Sequence, residues 1–178
     1  MARDPDPLEE MFPLLSALEE KGLFPVLVGG MALVVLGSQR VTKDFDLLVS
    51  ATDLSGDLVG VIYQKGFWLV TKFNKAGEVE RTIDNPRVAG ARLQLDKPRR
   101  VFFYNRKTGL RVDLLLDFPL PTRDIAERAT KIGKKPQTLR VATPKDLLHL
   151  KEIAYADRKS AADAQDLEFI RNLLKTRS

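Results

Sequence analysis

Val28-Gly29-Gly30-Met31 and, after twelve intervening residues, Asp44-Phe45-Asp46-Leu47-Leu48-Val49 decide how this chain is read. Phe24-Pro25-Val26-Leu27-Val28 is a short apolar strand, and Met31 to Leu36, closed by Gly37, is a compact buried helix. The glycine pair therefore sits at a strand–helix junction. With no Cβ it lets backbone approach an anion closely, and the opening helix presents unpaired N–H groups. Phe45 to Val49 has the composition of a central strand. Side chains alternate along a strand, so Asp44 and Asp46 share a face about 7 Å apart. Two like charges held so close are costly unless a cation lies between them. Mg²⁺ suits the pair, because it takes oxygen ligands and is commonly held by one or two carboxylates plus substrate phosphates. The expectation is a phosphoryl-transfer site.

Such a site calls for a third carboxylate. Leu110-Arg111-Val112-Asp113-Leu114-Leu115-Leu116-Asp117 supplies one. Asp113 lies mid-strand among apolar neighbours, where an unpaired charge is expensive. Asp117, near Pro119 and the strand end, is expected to meet solvent or to cap. A Gly-Lys-Ser/Thr sequence is absent, which excludes a P-loop, and so is a spaced dinucleotide-binding glycine fingerprint.

The remainder reads as helix and strand around this centre. Apolar spacing predicts a helix over 7–21, and Thr52 or Asp53 is expected to cap another that runs to Lys65. Phe67 to Val70 begins a β region, and 74–90 reads as a long hairpin or loop. Val101 to Tyr104 and Leu110 to Leu116 are paired strands with a turn at 105–109. Trp68 and the Phe102–Tyr104 cluster are assigned to the core. A short helix near 122–130, a basic loop over 131–137 and a strand over 138–142 follow. Thr143-Pro144 opens a helix to about Asp157, and a last helix covers about 160–175. His149, the only histidine, is placed on a helix face near the core. Arg40 and Thr42 share parity with Asp44 if that strand starts early, so a nucleotide-facing role and a loop role both stay open. The element order gives an α/β (α+β) fold with a mixed central sheet flanked by helices and a helical C-terminal portion.

At 178 residues, 44% hydrophobic, the chain is expected to form one domain with a substantial core. Residues 1–120 form the expected catalytic core and 121–178 a basic, mainly helical portion packed on it. No apolar run approaches the roughly 20 residues that span a bilayer. The polar start lacks a signal-peptide core, so a cytoplasmic location is expected. With no cysteine, disulfides and thiolate metal sites are excluded. The whole net charge of +5 falls in residues 121–178, which carry 13 Lys/Arg against 8 Asp/Glu. A basic surplus of this kind attracts nucleic acid or a nucleoside triphosphate.

Gly29-Gly30, Asp44-Phe45-Asp46 and Asp113 together resemble the nucleotidyltransferase superfamily to which DNA polymerase β belongs. The words around them are closest to the bacterial AbiEii-type toxin nucleotidyltransferases. Val28 to Leu33 through Arg40 to Val49 resembles their first motif and Arg111-Val112-Asp113 their second. Asp146-Leu147-Leu148-His149-Leu150-Lys151, and then Arg158 to Asp166-Leu167, resemble their helical motifs. By that resemblance Asp44, Asp46 and Asp113 are the catalytic residues and hold one or two Mg²⁺ ions. Gly29, Gly30 and Lys151 bind the NTP. Asp113 draws the proton from the acceptor, and Lys151 neutralises the triphosphate. Gly-Gly stands where many members carry Gly-Ser. The implied activity is transfer of NMP from an NTP such as ATP to a hydroxyl. The acceptor stays open among an RNA 3′ end such as tRNA, a protein side chain and a small molecule, with the basic C-terminal part favouring RNA. An antitoxin is the implied partner protein. The alternative is a non-catalytic nucleotide- or partner-binding protein of the same fold.

Overall fold

The computed structural model describes residues 3–178. Helix α1 (Pro7–Glu20) starts on Asp6, which accepts the Leu8 N–H, and buries Met11, Leu14, Leu15 and Leu18. Strand β1 (Val26–Val28), helix α2 (Gly29–Val35) and strand β2 (Asp44–Val49) follow. Ser55, not Thr52 or Asp53, caps helix α3 (Gly56–Gln64). Residues Ala51–Asp53 instead form a 3₁₀ turn, anchored where Asp117 accepts the Ala51 N–H at 2.9 Å.

Strands β3 (Trp68–Phe73) and β4 (Val79–Ile83) form a hairpin, so the first part of 74–90 is as expected. The second part is not a loop. Helix α4 (Pro86–Asp96) begins there, with Asn85 accepting the Arg87 and Val88 N–H groups. Only Ala89 and Leu93 of that helix are buried, so its apolar period is too faint to announce it. Strands β5 (Arg100–Tyr104) and β6 (Arg111–Leu116) and helix α5 (Thr122–Arg128) come next. The basic stretch 131–137 also departs from expectation. It is strand β7 (Thr130–Lys134) and the turn into β8 (Gln137–Val141), with Lys131 opposite Arg140 and Ile132 opposite Leu139. Lysines are common on edge strands, where they discourage further pairing. Helices α6 (Pro144–Arg158) and α7 (Ala161–Arg177) end the chain.

The eight strands form one mixed sheet in the order β4-β3-β5-β6-β2-β1-β8-β7. The pairs β2–β6 and β1–β8 are parallel and the others antiparallel. Alternation divides side chains between two faces. One face carries Leu69, Phe103, Val112 and Phe45 in a register row, all buried, with Tyr63 of α3 edge-on to Phe103. The other carries Val28, Asp46 and Asp113, overlooked by α2, α6 and α7. Leu27 pairs with Val141, so the C-terminal portion completes the same sheet. Its Ile125, Leu139, Leu147 and Ile170 enter the common core. Among the described residues no helix is long and apolar enough to cross a membrane.

Candidate active site

The parallel register of β2 and β6 sets Asp46 beside Asp113 and Asp44 beside Arg111. Neighbouring strands are about 4.8 Å apart, so the first pair brings two carboxylates together on one face. Asp113 is 1% exposed. Burial, followed by the charge of Asp46, pushes its carboxyl up from 3.8 to about 7, against the pull of Arg111 and Arg100. Asp46 Oδ1 and Asp113 Oδ1 are both buried without a hydrogen-bond partner. Arg111 places Nε 3.1 Å from Asp113 Oδ1, misaligned for a hydrogen bond, and Nη2 3.2 Å from Asp44 Oδ2. Arg100 Nη2 lies 3.2 Å from Asp113 Oδ2 and 4.0 Å from Asp46 Oδ1. Three acids thus face two arginines, and the cluster carries one excess negative charge when Asp113 is ionised. Among the described residues no three acidic or histidine side chains close on a common point as a finished metal cage. Asp44 is engaged by Arg111 at the rim, while Asp46 and Asp113 meet inside.

The glycine pair makes room for this cluster. Gly29 has φ +69°, and a Cβ there would lie 2.1 Å from Asp46 Oδ2. At Gly30 a Cβ would lie 2.8 Å from Arg40 Nη1. The space that sequence assigned to an approaching phosphate is thus lined by a carboxylate and a guanidinium of the protein itself.

Lys151 belongs to a second cluster across the cleft. Its Nζ is 3.1 Å from Asp163 Oδ1 and 2.9 Å from Asp166 Oδ2. Arg158 Nη2 is 3.2 Å from Asp163 Oδ2, and Arg40 contacts Asp166. Three cations face two buried carboxylates, so one positive charge remains for a ligand. Burial pushes the Asp163 carboxyl up, but hydrogen bonds from Ser160 and Lys151 and the nearby charges of Lys151 and Arg158 outweigh it and hold it below the usual range. Asp146, at the start of the motif that ends on Lys151, has a different task. It accepts from Arg128 at 2.8 Å and from Thr143 at 3.0 Å, fixing the start of α6. His149 is exposed on α6, not packed near the core. Asp117 caps as expected, accepting the N–H groups of Ala51 and Thr122.

Two chambers meet at Asp46, Arg100, Lys151 and Arg158. The polar one, about 250 Å³, is walled by Arg40, Thr42, Asp44, Arg111, Asp113 and Asp163. The apolar one, about 230 Å³, is walled by Val28, Leu33, Leu115, Phe118, Leu150 and Ile170. All six sequence-predicted residues line one chamber or the other. Arg100, Arg111 and Arg158 belong beside them; the sequence placed Arg111 and Arg158 inside motifs without a site role and gave Arg100 no place at all. The signal for Arg111 was its shared parity with Asp113; Arg100 had none, because the register of β5 is a tertiary fact.

Solved structures share this fold over nearly the whole chain. The solution structure of the antibiotic-resistance factor ANT(2″)-Ia aligns with TM-score 0.63 and 11% identity over 97% of this chain and 86% of that one. The lincosamide antibiotic adenylyltransferase LnuA, lincomycin-bound, aligns with TM-score 0.57 and 12% identity over 92% and 95%. An antigenic nucleotidyltransferase-like protein from Paracoccidioides brasiliensis aligns with TM-score 0.56 and 15% identity over 93% and 77%. No curated protein matches the chain in sequence. Residues 13–176 match the model of the nucleotidyl transferase AbiEii toxin family, type IV toxin–antitoxin system. With that match running through both carboxylate strands, the glycine junction and the Lys151 cluster, the chain belongs to the AbiEii nucleotidyltransferase family.

Proposed function

We propose that this nucleotidyltransferase moves a nucleoside monophosphate from an NTP to a hydroxyl of RNA, such as a tRNA 3′ end, with Mg²⁺ as its metal, as the toxin of a toxin–antitoxin pair. The observation that carries the metal is the register of Asp46 and Asp113. Register sets the two residues side by side, each with a buried carboxylate oxygen that has no hydrogen-bond partner, and hard oxygens of this kind fit Mg²⁺. Asp46 and Asp113 would hold the ion, with Asp44 at the rim. When bound, Mg²⁺ offsets the charge that develops on the transferred phosphoryl group and the leaving pyrophosphate.

The protein's own part is positioning and electrostatics, as in phosphoryl transfer generally. Lys151 and Arg158 line both chambers and, with Arg40, meet the triphosphate with the one positive charge that Asp163 and Asp166 leave over. The apolar chamber suits the flat face of a base. Asp113, as the carboxylate, would accept the hydroxyl proton. ATP is the first donor to test, because the aligned LnuA is an adenylyltransferase. RNA is favoured by the basic surplus of residues 121–178.

The purified chain, Mg²⁺, each α-labelled NTP in turn and bulk tRNA or total cell protein form the test. Label is expected on RNA, with loss of at least about 100-fold in Asp46→Ala and on chelation. Label that persists unchanged in Asp46→Ala would sink the metal assignment, and label on protein alone would sink the RNA acceptor.

A further inference from the structure

Outside the two chambers, the carboxylate-bearing face of the sheet continues over β5 and β3, and there the structure departs from the sequence expectation. Trp68, Phe102 and Tyr104 are half-buried, while their chain neighbours Leu69, Val101 and Phe103 are buried on the opposite face. The aromatic cluster is thus split between core and surface. Register aligns Trp68, Tyr104, Arg111 and Asp44 in one row across four strands. The next row places Phe102 beside Asp113 and Asp46. Three strand spacings separate Trp68 from Asp44, about 14 Å.

Arginines sit over these rings. Arg106 sits 5.7 Å from the Trp68 ring centre, and Arg100 sits 4.8 Å from that of Phe102. Arg111 is 5.5 Å from both Phe102 and Phe73. Beyond Trp68 the surface hollows into a cavity of about 520 Å³ whose charged walls are Lys65, Arg106 and Lys107. On the adjoining hairpin, Glu80 is already paired with Lys72.

Aromatic faces interleaved with arginine on an open sheet match one kind of occupant. Bases stack on the rings whatever their sequence, and guanidinium groups meet the phosphates. A duplex hides its bases from such a surface, and an acidic polypeptide has charge but no planar groups to stack. We propose that this face holds a short single-stranded nucleic-acid segment, two or three bases long, stacked on Phe102 and Trp68 and leading to the Asp46–Asp113 chamber. The direction of the strand, with its 3′ end at the carboxylates, rests on the transfer reading; the binding surface does not.

Trp68 is the only tryptophan, so its fluorescence reports on the platform directly. The full chain is titrated with a ten-nucleotide single-stranded RNA, the same sequence as a duplex, and poly-glutamate. Quenching is expected with the single strand alone, with an affinity that falls as salt rises. By anisotropy of labelled RNA, Trp68→Ala and Arg106→Glu are expected to bind about 5- to 100-fold more weakly, the range that loss of one base–aromatic stack produces. Trp68→Phe keeps a stacking ring and is expected to retain most of the affinity, and binding of a fluorescent ATP analogue is expected to be unchanged in all three. Equal quenching by duplex or poly-glutamate overturns the proposal, as does unaltered RNA affinity in Trp68→Ala and Arg106→Glu. If these variants lose RNA while no form of the protein transfers nucleotide, the platform stands and the transfer reading falls. If Trp68→Ala labels RNA with an unaltered KM, the platform falls alone.

Discussion

Asp113 carries an acid–base property that can be measured without substrate. Its carboxyl is raised to about 7 in the folded chain by burial and by Asp46, from an ordinary 3.8. Between those values the folded state holds a proton that the unfolded state has released, so stability falls as pH rises through this window and levels off above it. Urea unfolding at pH 5 and pH 7.5 is expected to show that loss in the parent and to lack it in Asp113→Asn. Added Mg²⁺ at pH 7.5 is expected to raise the midpoint of the parent and leave that of Asp113→Asn in place. Gly29 is the second sensitive residue. Gly29→Ala places a Cβ against Asp46 at a positive φ. The expected cost is about 1–3 kcal/mol in thermal unfolding, with loss of transfer as Asp46 is displaced. Asp44, Asp46 and Asp113 were legible because charges inside apolar strands are rare and parity is simple. The arginines were not, because a strand arginine looks like any solvated residue until its neighbour strand is known.

Among the elements, α6 and α7 act as a brace, and the Asp163–Asp166 pair is its pin. Asp166→Ala leaves Lys151 and Arg40 without that partner in a largely buried place. It is expected to cost about 3 kcal/mol in denaturant unfolding and to weaken NTP binding, read as a raised KM. Ser160→Ala, which removes the acceptor for the Asp163 N–H at the head of α7, is expected to cost about 1 kcal/mol. Helix α6 was legible through its Thr143-Pro144 start, and the last helix was placed over about 160–175. Helix α4 was hidden although Asn85-Pro86 marks its start, since a helix with two buried residues has almost no period to detect. Strand β7 was hidden by its lysines, which read as loop when the partner strand is out of view.

For the whole molecule, β8 beside β1 is the decisive pairing. It ties residues 121–178 into the sheet that residues 1–120 begin. A fragment ending at residue 120 would expose the β1 edge and the core surface covered by Leu139, Leu147 and Ile170, so it is expected not to fold alone. The full chain is expected to unfold in one step, with Trp68 fluorescence and far-ultraviolet dichroism coincident. The fold class was legible as an order of elements, but strand order in space depends on pairings distant in sequence. That same pairing has a consequence in time. On the ribosome Asp44, Asp46 and Asp113 are made first, while the strand that flanks β1 and the helices that carry Lys151, Asp163 and Asp166 are made last. The nascent chain is therefore expected to lack a complete site until residues 121–178 have left the ribosome and folded onto the sheet.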